Sequence, residues 1–197
     1  MKCYHGPLQA SDPYPAPGTP VAAASFESSL VLFRPVEGIV ACDGTTPRDG
    51  EDVYLTGAPL VCRWQDDQQN QFEVVVTPGF VTDLTSVPAP LRGLISRAGP
   101  WLEAAILHDY LYVAWQDLPG RGALPDDRRF ADRVMLAAMR AAGVGVIRRF
   151  AIFAAVRIFG GPGYRTARAF RFGDATDPRL VHLAAVPDLV EDAPRIT

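Results

Sequence analysis

One run, AAILHDYLY at residues 104–112, sets two titratable side chains, His108 and Asp109, among Ala, Ile, Leu and Tyr. Taking either group out of water is costly unless it holds a proton, a metal or a partner. The chain has only three histidines, and the other two, His5 and His182, lie near its ends. If the run is helical, His108 faces inward, Asp109 sits one step round at the edge, and Tyr112 lies one turn on from His108 on the same face. Further along, in RRFADRVMLAAMRAAGV, Asp132 shares a helical stripe with Met135, Leu136 and Met139, so it too points inward. Two antiparallel helices joined by a short connection pack their apolar faces together. The imidazole of His108 is then the simplest partner for a buried Asp132. Such a contact fixes the tautomer and leaves the other ring nitrogen free as a base.

The chemistry open to this group is proton abstraction from water by a carboxylate-held histidine. Asp109, beside it, would hold a hard cation such as calcium, which polarises a carbonyl or phosphoryl oxygen. The segment FVTDLTSVPAPL offers Asp83 as a further ligand on a loop. Each feature also has a plainer reading. His108 and Asp132 would form a buried hydrogen bond that registers two helices. Asp109 would be a solvated carboxylate at a helix edge, and Asp83 or Ser86 would cap a short turn. Spacing alone leaves both readings open.

The elements that must position these residues change character along the chain. Residues 1–24 are rich in Pro and small residues and read as an extended arm rather than part of a core. From 25 to 82 the period is two: SLVLF, GIVAC, DVYLTG, PLVCRW and QFEVVV are β-branched or aromatic runs punctuated by Gly, Pro and Asp. QDDQQN between two of them suits a hairpin loop. In TPGFVTDLTSVPAP the glycine and three prolines speak against regular structure. Beyond residue 99 the period is helical. Pro100 opens a first helix with one stripe through Trp101, Ala104, His108, Leu111, Tyr112 and Trp115. Asp126 or Asp127 caps a second helix that runs to about Ala142 and stops at Gly143. A third runs from Val146 to Phe159 and ends at GGPGY. The expectation is an α+β fold: a small antiparallel sheet followed by a three-helix bundle, with extended tails. In residues, that is an arm at 1–24, one domain at 25–173 with its β part at 25–82 and its helical part at 99–165, and a tail at 174–197.

Composition narrows the function classes. With 48% hydrophobic and 21% charged residues, the chain can bury a sizeable core. A net charge of −3 gives no global attraction to nucleic acid or an anionic membrane. Lys2 is the only lysine, as a GC-rich genome would favour. Cys3, Cys42 and Cys62 are an odd number without metal-ligand spacing, which suggests a reducing compartment. The opening residues hold no signal-peptide core, and the most apolar run, FAIFAAV, is far too short to span a bilayer. From Arg133 to Arg171 there are eight arginines and no acid. That concentration suits lipid headgroups, nucleic acid, an acidic protein surface or simply water, and no specific nucleic-acid motif accompanies it.

GFVTDLTSVP, AAILHDYLY and RRFADRVMLAAMRAAGV together resemble a phage and prophage family, domain-of-unknown-function family 1353, over roughly residues 50–160. The resemblance implies a phage or prophage origin and assigns no activity. More locally, His108, Asp109 and Tyr112 match the H-D-x-x-Y motif of secreted phospholipase A2, and Asp132 matches the aspartate that a later helix supplies there. That likeness implies His108 as the water-activating base, supported by Asp132 and Tyr112, and Asp109 as a calcium ligand. The Gly-rich calcium loop and the disulfides of those enzymes have no counterpart here. His-Asp metal phosphohydrolases need more histidine ligands than the chain has, and Ser86 lacks the setting of a hydrolase nucleophile. The expected function is a phage- or prophage-encoded, calcium-assisted hydrolase of an ester such as a phospholipid, working in the host cytoplasm or from the virion. The alternative is a non-enzymatic virion or tail-associated protein that meets phage structural proteins through residues 1–24.

Overall fold

A computed structural model describes residues 14–34, 53–82, 99–113 and 123–165. The expected strand at GIVAC, the candidate residues Asp83 and Ser86, Trp115 and the expected tail at 174–197 lie outside the described residues. Among the described residues six strands and three helices follow in order: β1 (Ala23–Phe26), β2 (Leu32–Phe33), β3 (Tyr54–Thr56), β4 (Leu60–Gln65), β5 (Gln71–Val76), β6 (Val81–Thr82), α1 (Leu102–Val113), α2 (Pro125–Ala141) and α3 (Val146–Arg165). The α+β arrangement expected from the sequence is found, but the strands form two antiparallel three-stranded sheets rather than one, ordered β1-β4-β5 and β2-β3-β6.

The first sheet shows how period two becomes a core. Leu60, Cys62 and Trp64 point inward along β4 while Val61, Arg63 and Gln65 face out. Their partners across the hairpin are Val76, Val74 and Phe72, with the Trp64 and Phe72 rings stacked at 4.3 Å. Outside, Arg63 opposes Glu73. QDDQQN closes this hairpin as expected: Asp66 Oδ1 accepts the backbone N–H groups of Gln68 and Asn70, and Gln69 takes the left-handed conformation at φ 67°. Burial pushes the Cys62 thiol up to about 12, so it serves as a small apolar residue and not as a nucleophile.

Four local expectations need correction. TPGFVTDLTSVPAP contains β6, because Gly79 (φ 81°) turns the chain and Thr56 captures it, its Oγ1 donating to Thr77 O and accepting from Phe80 N. The arm at 1–24 is described from residue 14, and there it lies on the core. The Tyr14 hydroxyl donates to Leu111 O, the Tyr14 ring meets Phe130 edge-on, and Ala24 is buried in β1 opposite Trp64. Neither Asp126 nor Asp127 caps α2. Leu124 is the N-cap, with no side-chain capping bond, Pro125 opens the helix, and both acids sit in the first turn, where the helix dipole favours them. Lastly, α3 does not stop at GGPGY but continues through Pro162 to Arg165.

The C-terminus of α2 behaves as the sequence reads. Gly143 adopts φ 74°, Gly143 N donates to Arg140 O and Val144 N to Met139 O, and Val144 is buried beneath the turn. This sharp stop turns the chain straight into α3, which packs on α2. Helix α1 is more deeply placed than a one-stripe helix. Ala104, Ile106, Leu107, His108, Tyr110, Leu111, Tyr112 and Val113 are all buried. The reason is its position between α2 and the β1-β4-β5 sheet, with Phe80 edge-on to Tyr110 on one side. Asp109 belongs to the strip of α1 that stays partly exposed, together with Leu102 and Ala105. Among the described residues, no helix is long and apolar enough to cross a membrane.

Candidate active site

Three helices meet at one carboxylate. Asp132, on the inward face of α2, is fully buried, and both of its oxygens are engaged. Oδ1 lies 2.9 Å from His108 Nε2 and accepts the Tyr112 hydroxyl at 2.6 Å. Oδ2 accepts from Arg157 of α3 at 2.7 Å. The two α1 residues reach the same oxygen because they are one turn apart, with their rings 3.9 Å centroid to centroid. The contact that the sequence predicts between His108 and Asp132 is therefore present.

Charge decides how the protons lie. Burial alone would push the His108 pKa down, but the nearby Asp109 carboxylate and the hydrogen bond and charge of Asp132 outweigh it and hold the group above its ordinary 6.5. Burial would likewise raise the Asp132 carboxyl, yet the hydrogen bond and charge of His108, with Arg157 and Tyr112 added, hold it below 3.8. Burial and the Asp132 charge push the Tyr112 hydroxyl up, so it stays a protonated donor. An ionised Asp132 at 2.9 Å requires a proton on His108 Nε2. In the neutral ring the lone pair then sits on Nδ1.

Nδ1 points towards Asp109, whose Oδ1 is 3.6 Å away, beyond direct hydrogen-bond range. The Asp109 side chain is 20% exposed against 6% for His108. The imidazole thus has a sealed side, facing Asp132, and a side nearer to solvent, facing Asp109. Asp109 is the acid that the sequence places at the helix edge.

Arg157 and Arg128 escape the sequence reading, which treats the arginines from Arg133 to Arg171 as one charged face and does not single out Arg128. Arg157 is only partly buried, and its signal would have been an inward position on α3 opposite an aspartate in need of a counter-charge. Arg128 donates through Nε to the Tyr112 hydroxyl at 3.3 Å and through Nη2 to Val156 O and Arg157 O at 2.9 and 2.7 Å. It bolts the start of α2 to the far half of α3. Two glycines make that approach fit: a Cβ on Gly160 would stand 3.0 Å from the Tyr112 hydroxyl, and one on Gly161 would stand 3.2 Å from Arg128 Nη1. The GGPG segment is therefore a helical contact surface.

For a metal the described residues offer little. Among them, no group of three or more His, Cys, Asp and Glu could hold an ion. Asp109 contributes one carboxylate, whereas calcium takes six to eight oxygens. That donor set does not fit calcium by itself, so no step below runs through a metal. A cavity of about 70 Å³ lies elsewhere, lined by Tyr14–Thr19 and the start of α2, and includes none of His108, Asp109, Tyr112 and Asp132.

Against known proteins, residues 59–156 match the family model described as Protein of unknown function (DUF1353). That span contains His108, Asp109, Tyr112, Asp132 and Arg128, and it ends one residue before Arg157. No curated protein and no solved structure matches the chain.

Proposed function

We propose, for a chain whose residues 59–156 place it in the DUF1353 family, that His108 activates water for the hydrolysis of an ester, on the plan of a phospholipase A2. The observation that carries the reading is the order of groups across one ring: Asp132 on Nε2, and a partly exposed Asp109 beside Nδ1. A water bonded to both Nδ1 and Asp109 Oδ1 at about 2.8 Å closes a triangle over the 3.6 Å gap. Nδ1 takes a proton from that water as its oxygen attacks the carbonyl carbon. The tetrahedral intermediate then collapses, the ester C–O bond breaks, and the imidazolium returns the proton to the leaving alkoxide. Asp132 holds the tautomer and stabilises the imidazolium, and Tyr112 holds Asp132. Calcium enters only as an arm of the test, and Asp83, the second expected ligand, lies outside the described residues.

A second reading draws on the sealed side of the site. His108 is 5% exposed, and Arg157 completes the bonding of a buried Asp132 whose two oxygens tie three helices together. On this reading the chain is a non-enzymatic component of a phage particle. The decisive experiment is fatty-acid release from phospholipid and short-chain esters, with and without added calcium, by the wild type and by Asp109→Asn and His108→Asn. The hydrolase reading expects turnover by the wild type and its loss in both variants, with Asp109→Asn folded like the wild type. No turnover by the wild type in either condition, or full turnover by a folded His108→Asn, overturns it. Co-purification of an inactive wild type with particles would then support the second reading.

A further inference from the structure

Helix α3 is apolar on both faces, and only one of them is covered among the described residues. Its inner side packs on α2, buries Ala155 and Tyr164, sets the Tyr164 ring against Tyr112 and bonds to Asp132 through Arg157. Along the outer side Ile147, Phe150, Ala151, Ala154 and Ile158 recur at three- and four-residue steps, and all are exposed. Ile147 is 89% exposed and Ile158 69%. Large aliphatics so open to water, in one row of about 16 Å, mark a surface that meets something.

We propose that this face of α3 lies on an anionic lipid surface, the stripe entering the headgroup–acyl boundary and the arginines meeting phosphate. Charge selects lipid over the alternatives. Arg140, Arg148 and Arg149 have no acidic partner among the described residues, and the chain has no Asp or Glu from Arg133 to Arg171. Arg148 stands over the Trp101 ring at 5.1 Å at the edge of the stripe, and the Arg149 guanidinium, bonded to Val144 O, reaches Phe150 of its first turn at 5.7 Å. A two-fold contact with a second copy would set this arginine-rich patch against itself, with no acid in the segment to meet it. A nucleic-acid backbone would satisfy the arginines but give the aliphatic row nothing to enter. An in-plane helix on anionic lipid uses both. These residues are not those of the proposed hydrolase, so either proposal can fail alone.

The test is co-sedimentation of the full chain with vesicles of phosphatidylcholine, alone and mixed with phosphatidylglycerol, at low and high salt. Binding is expected only to the anionic vesicles and to weaken with salt, since the Debye length falls to about 3 Å at 1 M. Arg148→Gln and Arg149→Gln should each weaken it about five-fold. Ile147→Ser with Ile158→Ser should weaken it about ten-fold or more while the circular dichroism stays unchanged. Equal binding to both vesicle types, no binding, or full binding by the double serine variant overturns the proposal. So does self-association that the serine variant abolishes in the absence of vesicle binding, which assigns the face to a second copy. Duplex binding that survives the serine changes, without vesicle binding, assigns the arginines to nucleic acid and overturns it as well.

Discussion

Replacing Asp132 by Asn is the sharpest probe of the three-helix junction, because it removes one charge and keeps the shape. The carboxylate accepts from His108, Tyr112 and Arg157, all at 2.9 Å or less. An amide has one acceptor and one donor end, so at least one of those donors would face an N–H. Removing one partner of a buried ion pair costs about 3–5 kcal/mol, because the other charge is left uncompensated. The Arg157 side chain is 36% exposed and can recover water, which places the expectation at the low end, about 3 kcal/mol. For a domain of this size that lowers the melting temperature by about 6–12 °C.

The pH dependence checks the cause. His108 has a raised folded pKa, so its contribution is fully present below 6.5 and fades as pH rises through the folded value. Asp132 has a lowered one, so its contribution is present above 3.8 and fades as pH falls through the folded value. The gap between wild type and Asp132→Asn should therefore be widest between pH 3.8 and 6.5, narrowing as pH falls through the lowered pKa of Asp132 and as it rises through the raised pKa of His108. Urea unfolding of both proteins across that range measures it. A cost under about 1 kcal/mol, or a gap that is flat with pH, would refute the view that this cluster holds the helices by charge.

Tyr112→Phe takes one donor from Asp132 and leaves Arg128 Nε without its acceptor, and should cost about 1.5–3 kcal/mol by urea unfolding. Gly160→Ala should destabilise by about 1–3 kcal/mol, since its Cβ would press on the Tyr112 hydroxyl at 3.0 Å. Gly163→Ala, with nothing within 4 Å, should instead stabilise by about 0.5–1 kcal/mol through helix propensity. Thermal melts of the two variants must move in opposite directions. If the chain hydrolyses esters, kcat/KM should climb with pH through a pKa above 6.5, because only neutral His108 has the Nδ1 lone pair, and Asp132→Asn should move that limb downward.

Much of the site was legible in the sequence because burial leaves a periodic trace. His108 and Tyr112 one turn apart, and Asp132 in line with Met135 and Met139, had to face inward, and inward carboxylates and imidazoles need partners. The hairpin at QDDQQN and the glycine stop of α2 were written in local turn chemistry, which acts over a few residues and survives any tertiary arrangement. Three features were decided only by the fold. Tyr14 and Ala24 turn the arm into a flank of the core, since what they touch is nearly a hundred residues away or across a sheet. The helix runs on through Pro162 because α3 is held against Tyr112 and Arg128 by contacts that local propensity cannot register. Arg157 is drawn to Asp132, while Arg148 and Arg149 of the same run remain beside an exposed stripe. Side-chain type and spacing fix what each residue requires. Only three-dimensional packing settles which distant group supplies it, because that depends on which helix faces meet.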